Sequence, residues 1–293
     1  MVSNHKIDIM IAGAQKSGTT SFMNLLAKHP QLCSHTQKEF PFFVNNLYYK
    51  KGILQYWKEY FYNCESDSHL LVKSAGLMYS ERALRRLKKH NPEVKLILIL
   101  RNPVERAYSA YWYARRKGWE SIVTFDEALD AGIDRFGNKW LSKIFCNYKD
   151  RGKYAEYIST IYSIFPRSNV FLYKFEDFIG KELEVCSDVW QKMQLQEIED
   201  MHVEKRQYNS AAMPKFRFFN ELLIKFTIPE NIKDLLPMKF LRKMKDGIIS
   251  LNERSLNIPP INSKTRKKLI EYYQQPNMEL SKITGWDLKD WDS

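Results

Sequence analysis

Residues 7 to 21 read IDIMIAGAQKSGTTS, and this stretch contains the pattern that decides the fold. The apolar run from Ile7 to Ile11 predicts a buried strand that ends at Ala12-Gly13. A helix is predicted from Thr19 to His29, because apolar residues recur there at three- and four-residue spacing. A strand, a short loop and a helix start in this order direct backbone N–H groups and the positive end of the helix dipole at one point. The stretch therefore predicts a site for an anion, most often a phosphate.

The two glycines of this stretch define its chemistry further. Gly13 and Gly18 have the spacing of the P-loop pattern G-x-x-x-x-G-K-[ST]. A nucleotide triphosphatase places a lysine directly after the second glycine, whereas this chain has Thr19 there and carries Lys16 inside the loop. A cation inside the turn would lie near the terminal atoms of a bound phosphate ester, between a transferred group and its leaving oxygen. The alternative is an ordinary strand-to-helix turn with an exposed lysine.

Composition limits the class of protein. The chain has 293 residues, of which 44% are hydrophobic and 27% charged, values typical of a globular protein. The formal net charge of +12 favours a polyanionic partner, such as nucleotide phosphates, an acidic glycan, nucleic acid or a membrane surface. A solvated basic surface would explain the same charge without any partner.

The cysteines and the N-terminal residues lead to an expectation about location. The four cysteines are widely separated and form no C-x-x-C pair, so we expect reduced thiols rather than a disulfide framework or a zinc site. No signal peptide precedes the first strand, and no apolar run approaches ~20 residues. We therefore expect a cytoplasmic protein without a membrane span.

Strands and helices alternate along the rest of the chain. Apolar runs predict strands at 70–72, 94–100 and 170–173, and helical patterns follow at 80–89, 103–117, 152–165, 182–193 and 264–283. Ser80 and Asn102 are predicted N-caps of the helices that follow them, and residues 174–177 are predicted to form a turn. This alternation predicts an α/β fold with a central parallel sheet and helices on both faces. Ligands of such sheets bind at the carboxyl ends of the strands, where Lys16, Lys73 and Arg101 stand. We expect these three cations to meet at one edge.

Four blocks of sequence resemble the sulfotransferases that use 3′-phosphoadenosine 5′-phosphosulfate (PAPS), and most of all their glycan and heparan-sulfate branch and its bacterial relatives. Gln15–Ser21 is similar to the 5′-phosphosulfate loop, Lys38–Phe43 to the catalytic K-E-x-x-F-F stretch, Lys73–Tyr79 to a K-S-P-x-Y-type segment, and Arg101–Ser109 to the 3′-phosphate block. Order and approximate spacing agree over residues 7 to 175. The resemblance implies one P-loop-like domain over residues 1–293, with a core at about 7–195 and a basic irregular segment and C-terminal helix at about 201–293.

The resemblance also implies roles for individual residues. Glu39 would act as the general base, Lys16 would stabilise the leaving phosphate oxygen, and Lys73 would assist at the sulfuryl oxygens or at the base. The remaining donor contacts would come from Ser17, Gly18, Thr19, Thr20 and Ser21 at the 5′-phosphate and from Arg101 and Ser109 at the 3′-phosphate. No metal is expected, because a sulfuryl group carries less charge than a γ-phosphoryl group and fixed lysines can replace Mg²⁺. A basic run at Lys205, Arg206, Asn209 and Lys215 would close over the 3′-phosphate or the acceptor, or would be a solvated loop.

The implied function is transfer of a sulfonate group from PAPS to a hydroxyl of a carbohydrate or glycolipid. Glycosaminoglycan 3-O-sulfotransferases carry a histidine and an aspartate where this chain has Pro41 and Val44, which argues against that acceptor class. The alternative enzyme class is a small-molecule or nucleotide kinase of the P-loop type, which would need Mg²⁺ and a lysine after Gly18. The charge also allows a nucleic-acid-binding module, but no recognised module of that kind is present, and no nucleic-acid partner is expected.

Overall fold

Five parallel strands form the sheet of the first of two compact units into which the chain divides. The first unit comprises Met1–Arg106, Arg151–Lys205 and Leu269–Ser293, and the second comprises Ala107–Asp150 and Arg206–Lys268. The computed structural model describes residues 6–35, 39–65, 68–137, 145–196, 212–214, 253–255 and 258–292.

The strand order of this sheet places the first strand at its centre. The strands are β1 (Ile9–Gly13), β2 (Leu32–Ser34), β3 (His69–Lys73), β4 (Lys95–Leu100) and β5 (Val170–Lys174), and their order across the sheet is β2-β3-β1-β4-β5. Every neighbouring pair is parallel. The predicted α/β class with a central parallel sheet is confirmed. The carboxyl ends of β3, β1 and β4 therefore lie side by side, because parallel neighbours all end at the same edge.

The central strands are buried on both faces, as their near-continuous apolar sequences predict. All five residues of β1 are buried, and five of the six residues of β4 are buried. Met10 pairs with Val72 on one side and with Leu96 on the other. Burial on both faces leaves only the strand ends for polar chemistry.

The helices follow the predicted alternation. They are α1 (Thr19–Leu26), α2 (Asn46–Lys51), α3 (Ile53–Tyr60), α4 (Glu81–His90), α5 (Pro103–Lys117), α6 (Phe125–Asp130), α7 (Tyr154–Ile164), α8 (Phe175–Phe178), α9 (Glu182–Lys192) and α10 (Ser263–Thr284). Helices α5 and α10 each run from one unit into the other. The N-caps of α4 and α5 agree with prediction: Ser80 Oγ accepts from the Ala83 N–H, and Asn102 Oδ1 accepts from the Val104 N–H.

Three differences from prediction are local. Helix α1 ends at Leu26 rather than His29, one turn before Pro30. Helix α2 was not predicted, although Asn45 caps it by accepting from the Leu47 and Tyr48 N–H groups. The residues after β5, predicted as a turn, form the single-turn helix α8. All three concern short elements, in which one hydrogen-bonded turn decides the assignment.

An aromatic cluster fills the core between the sheet and helices α2 and α3. Phe40 packs edge-to-face on Tyr60 with ring centroids 5.1 Å apart, and Phe42 packs edge-to-face on Phe43 at 5.1 Å. Phe40 and Phe43 are fully buried. These aromatics are core residues, and their packing fixes the course of the chain after Glu39.

Two cysteines form a disulfide, so the expectation of reduced thiols throughout is wrong. Cys33 lies in β2 and Cys64 follows α3, and the 5.6 Å between their Cα atoms is typical of a disulfide. They are 31 residues apart in sequence, and only the packing of α3 beside the sheet brings them together. Cys146 and Cys186 are buried thiols outside this bridge, and burial raises the pKa of Cys186 to about 12.

The second unit contains α6, most of α5 and a two-stranded antiparallel sheet of β6 (Ala212–Pro214) and β7 (Glu253–Ser255). Among its described residues, Glu120 is a buried carboxylate that accepts from Arg135 Nη2 at 2.5 Å and from the Tyr148 hydroxyl at 2.9 Å. Burial beside this carboxylate raises the pKa of Tyr148 above its ordinary value. These contacts hold the chain after α5 against the residues that precede α7.

Some predictions fall outside the described residues, or are not tested by the fold. The basic run at Lys205, Arg206, Asn209 and Lys215 lies outside them. That residues 1–293 form one domain, with a core at about 7–195, stays a prediction. Within the described ranges, none of the helices has the length and apolar character needed to cross a bilayer.

Candidate functional site

The loop after β1 is bounded by two glycines, each of which is required by its surroundings. A Cβ atom added to Gly13 would lie 2.1 Å from Met78 Sδ, far inside van der Waals contact. Gly18 has φ +73°, and a Cβ atom there would lie 2.9 Å from the ring of Phe175. The glycine spacing that predicted a P-loop-like turn thus corresponds to two close approaches of neighbouring side chains.

Between the glycines, the loop is attached to β4 and to Arg101. The Ala14 N–H donates to the Ile99 carbonyl at 2.8 Å, and the Ser17 N–H donates to the Ala14 carbonyl at 3.3 Å. Arg101 Nη1 donates to the Lys16 carbonyl at 3.3 Å. Lys16 itself has φ +73°, a left-handed conformation uncommon for a residue other than glycine. The backbone at Lys16 therefore depends on its neighbours.

The start of α1 offers donors for an anion. The first N–H groups of any helix have no partner inside the helix, and here Gly18 caps α1 without a side-chain hydrogen bond. The hydroxyl of Ser17 is fully buried, and its Oγ has no hydrogen-bond partner among the described residues. Thr19 is buried, Ser21 half-buried and Thr20 exposed. A buried hydroxyl beside a helix N-terminus fits the phosphate of a nucleotide.

Arg101 follows β4 and is held on three sides. Its guanidinium lies 4.8 Å from the ring centroid of Phe175, and its carbonyl accepts from the Tyr154 hydroxyl at 2.9 Å. Burial lowers the pKa of the Arg101 guanidinium, while the carboxylates of Glu105 and Glu176 raise it. An oriented and partly desolvated guanidinium is suited to binding phosphate.

The carboxylate of Glu39 lies at the end of β3, beside Lys73. Lys73 Nζ donates to Glu39 Oε1, and the Ala75 N–H donates to Glu39 Oε2 at 2.9 Å. The Lys73 side chain is 2% exposed and the Glu39 side chain 47% exposed. A buried ammonium thus orients a carboxylate that remains open to solvent on its other side.

The backbone on both sides of Glu39 is attached to Lys73. The Lys73 N–H donates to His35 Nε2 at 3.1 Å, and the Phe40 N–H donates to the Lys73 carbonyl at 2.7 Å. The phenylalanines after Glu39 turn away from it into the core. The segment therefore presents the half-exposed carboxylate of Glu39, while the phenylalanines that follow it are packed in the core.

Most of the predicted site residues come together in the first unit. Lys16 and Arg101 follow β1 and β4, and Lys73 is the last residue of β3, so the three cations lie at the ends of three adjacent strands, at one edge of the sheet as expected. Ser109 lies in α5, within the second unit, and its predicted contact with a 3′-phosphate stays a prediction. Lys38 lies outside the described residues.

Sequence reasoning missed two residues that hold the site. His35 follows β2 and accepts from Lys73, and Glu176 follows β5 and accepts from the Asn102 N–H at 2.9 Å. Both are polar residues within two positions of the end of a strand. The rule that strand ends carry function, applied to every strand, would have found them.

Comparison with known proteins gives a family match over most of the chain. The model of the sulfotransferase domain matches residues 6–247. The human bifunctional heparan sulfate N-deacetylase/N-sulfotransferase 1 is 30% identical over 298 residues, which cover 97% of this chain and 30% of that protein. Its Xenopus laevis counterpart is 28% identical over 297 residues, with the same coverage. The chain thus spans about 30% of the length of these curated relatives.

A solved structure shares the fold. The crystal structure of a sulfotransferase from Alicyclobacillus acidocaldarius superposes with a TM-score of 0.69 at 17% sequence identity, covering 99% of this chain and all of that one. At this identity the similarity concerns the fold.

Proposed function

The chain belongs to the sulfotransferase family, and on this premise we propose that it transfers a sulfonate group from PAPS to a carbohydrate acceptor, with Glu39 as the general base. The observation that carries this proposal is the pair formed by buried Lys73 and half-exposed Glu39, at the same sheet edge as the Lys16 loop and Arg101. A base for the acceptor and cations for the donor thus come from adjacent strands.

We assign donor binding to the loop after β1 and to Arg101. The 5′-phosphate would be bound by the N-terminus of α1 and by the hydroxyls of Ser17, Thr19, Thr20 and Ser21. The buried Ser17 Oγ supports this assignment, because it has no hydrogen-bond partner among the described residues. Arg101 would bind the 3′-phosphate, together with Ser109. A guanidinium matches a phosphate through two parallel hydrogen bonds.

The proposed reaction is an in-line displacement at sulfur. Glu39 takes the proton of the acceptor nucleophile while that atom forms a bond to sulfur. The bond between sulfur and the bridging oxygen of the phosphosulfate breaks, and adenosine 3′,5′-bisphosphate leaves with the electron pair. The ammonium of Lys16 would stabilise the charge on the departing oxygen, as a fixed cation does in phosphoryl transfer. Lys73 is assigned to the orientation of Glu39, because it donates to that carboxylate.

The acceptor atom has two candidates. A sugar hydroxyl, on a glycan or a glycolipid, is the acceptor that the sequence analysis predicts. An amino group of an acidic glycan is the second candidate, since the relatives at 28–30% identity are named heparan sulfate N-sulfotransferases. Both nucleophiles must lose a proton during the transfer, so the carboxylate of Glu39 serves either one.

The experiment is a transfer assay with sulfur-labelled PAPS and three acceptors: heparosan with free amino groups, fully N-acetylated heparosan, and a galactosyl lipid. Label in the first acceptor alone, released by nitrous acid at low pH, would identify amine sulfation. Label in the second or third would identify a hydroxyl acceptor. Calorimetry with adenosine 3′,5′-bisphosphate runs in parallel.

Two results would contradict the proposal. Absence of heat with the bisphosphate would remove the donor assignment. Phosphate transfer from ATP with a strict Mg²⁺ requirement would favour the kinase alternative instead.

A further inference from the structure

A buried arginine outside the four motif blocks contacts the loop after β1. Arg151 lies just before α7, and only 7% of it is exposed. Its Nη1 donates to Gln15 Oε1 at 3.1 Å. Gln15 immediately precedes Lys16 in the loop and is itself 8% exposed. A guanidinium is strongly hydrated in water, so burying it requires contacts that replace that hydration.

Tyr79 contacts the backbone of the same glutamine. The Tyr79 hydroxyl accepts from the Gln15 N–H at 3.4 Å. The guanidinium carbon of Arg151 lies 4.4 Å from the centroid of the Tyr79 ring, in cation–π geometry. Arg151 and Tyr79 therefore pack on each other, and between them they hold both the side chain and the backbone of Gln15.

Tyr79 is fixed in turn by its own neighbours. Its ring packs edge-to-face on Tyr157 of α7, with ring centroids 4.9 Å apart. It ends the 3₁₀ turn Leu77–Tyr79, in which Met78 is the side chain that approaches Gly13. One short turn thus contacts the loop at its first glycine and again at Gln15.

These contacts matter because of the backbone of Lys16. A left-handed φ at a lysine costs free energy and persists only where neighbouring contacts impose it. After Lys16, its carbonyl is held by Arg101. Before Lys16, Gln15 is held by Arg151 and Tyr79. The two arginines therefore hold the two sides of the strained residue.

We propose that Arg151 is a positioning residue that holds the loop at Gln15 and thereby sets the direction of the Lys16 side chain for donor binding. This inference rests on the proposed function, in which the loop binds the 5′-phosphate of PAPS. Arg151 acts through Gln15, and it is assigned no contact with the donor.

The test is a double-mutant cycle on binding of adenosine 3′,5′-bisphosphate to the full chain, measured by calorimetry. The variants are Arg151→Met, Gln15→Met and the double variant. Methionine replaces the glutamine side chain at nearly equal length without its hydrogen bonds. Arg167→Met is the matched control, because Arg167 also lies over a tyrosine ring, that of Tyr162 at 4.4 Å, but is exposed and lies outside the cluster of Arg151, Tyr79 and Gln15.

We expect each single variant to weaken binding of the bisphosphate about tenfold, the effect of losing one charge-assisted hydrogen bond. The double variant should be no weaker than either single one, because both substitutions remove the same contact. Arg151→Lys should bind about as weakly as Arg151→Met, because the inference depends on the guanidinium geometry at Gln15 and not on positive charge alone. Arg167→Met should bind as the wild type does.

Several outcomes would overturn the inference. Unchanged binding by folded Arg151→Met or Gln15→Met would do so, as would losses that multiply in the double variant or full restoration by Arg151→Lys. Thermal unfolding without ligand identifies variants that do not fold, and if Arg151→Met is one of them, Gln15→Met and Arg151→Lys decide the question. A wild-type protein that fails to bind the bisphosphate would overturn the proposed function as well. Binding by the wild type with unchanged variants would overturn only the role of Arg151.

Discussion

The loop after β1 and the segment after β2 end at the same edge of the sheet, but different contacts hold them. The first loop, residues 14–17, lies between Gly13 and Gly18, and its backbone is hydrogen-bonded to β4, Arg101 and Tyr79. The second segment, described at His35 and over residues 39–43, is held by an aromatic core, by Lys73 and by a disulfide on the strand before it. The glycine spacing marks the first loop in the sequence, although its partners lie 64 to 85 residues away, whereas the partners of the second segment lie 31 to 34 residues away.

This difference separates two functions. Donor binding is assigned to the first loop, and proton removal from the acceptor to the second segment. Substitutions in one should therefore leave the property assigned to the other nearly unchanged. The predictions below test that separation.

The largest expected effect is on turnover at the proposed base. Glu39→Gln keeps the size of the side chain and its contact with the Ala75 N–H but removes the basic oxygen. We expect turnover to fall by ~10²–10⁴, the usual size of general-base catalysis, with affinity for adenosine 3′,5′-bisphosphate unchanged. Glu65→Gln, at an exposed glutamate, is the control and should retain full turnover. Near-normal turnover of Glu39→Gln would remove this residue from the mechanism.

The disulfide should contribute the next largest effect, on the second segment alone. Replacing Cys33 and Cys64 by serine opens a loop with a sequence separation of 31 residues, and we expect the free energy of unfolding to fall by about 3–4 kcal/mol from loop-closure entropy. Turnover should fall while bisphosphate affinity persists. Urea unfolding and calorimetry measure the two quantities.

The same pair bears on the predicted cytoplasmic location, since disulfides persist mainly in oxidising compartments. A reductant should lower the free energy of unfolding of the wild type and leave that of the serine variant unchanged. Titration of all four cysteines as thiols in denatured, unreduced protein would contradict the bridge.

At the first loop, we expect Arg101→Ala to weaken binding of adenosine 3′,5′-bisphosphate by about 10- to 100-fold, because a charge-assisted phosphate contact is lost. Adenosine 5′-monophosphate lacks the 3′-phosphate, so its affinity should change less. The ratio of the two dissociation constants, measured by calorimetry, is the readout. Arg101→Lys keeps the positive charge but not the paired donors of the guanidinium, so its affinity for the bisphosphate should lie between those of the wild type and Arg101→Ala. An unchanged ratio would count against the assignment of Arg101.

The smallest expected effect concerns His90, which contacts one residue near each of the two regions. Its Nε2 accepts from the Ile7 N–H at the start of the chain leading into β1, and its ring lies 5.6 Å from that of Phe43. Burial, followed by the charge of Lys6, lowers the pKa of His90 from 6.5 to about 4. Between these values the unfolded chain binds the extra proton, so stability contributed by neutral His90 is complete above pH 6.5 and is lost as the pH falls to 4.

We expect this loss to be about 1–2 kcal/mol, less than the full equivalent of the pKa shift because the ring is partly exposed. His90→Gln keeps an acceptor for the Ile7 N–H but does not titrate. Its free energy of unfolding, measured in urea at several pH values, should decline less than that of the wild type between pH 6.5 and 4. Parallel curves for the two proteins would contradict the lowered pKa.

What the sequence by itself determined is the part encoded by short-range patterns. Apolar runs predicted β1, β3, β4 and β5, and cap residues predicted the starts of α4 and α5, because burial and hydrogen bonding of neighbouring residues govern these elements. The glycine spacing predicted the turn after β1, and the rule on strand ends placed Lys16, Lys73 and Arg101 at one edge.

Only the tertiary structure decided which distant groups meet. The order of the strands set Lys73 beside Glu39, α3 brought Cys64 to Cys33, and the chain before α7 placed Arg151 under Gln15. No local pattern marks these pairs, since each depends on how elements 31 to 136 residues apart pack around one core. The free energy of such a contact depends on burial of both partners, and burial is a property of the folded chain as a whole.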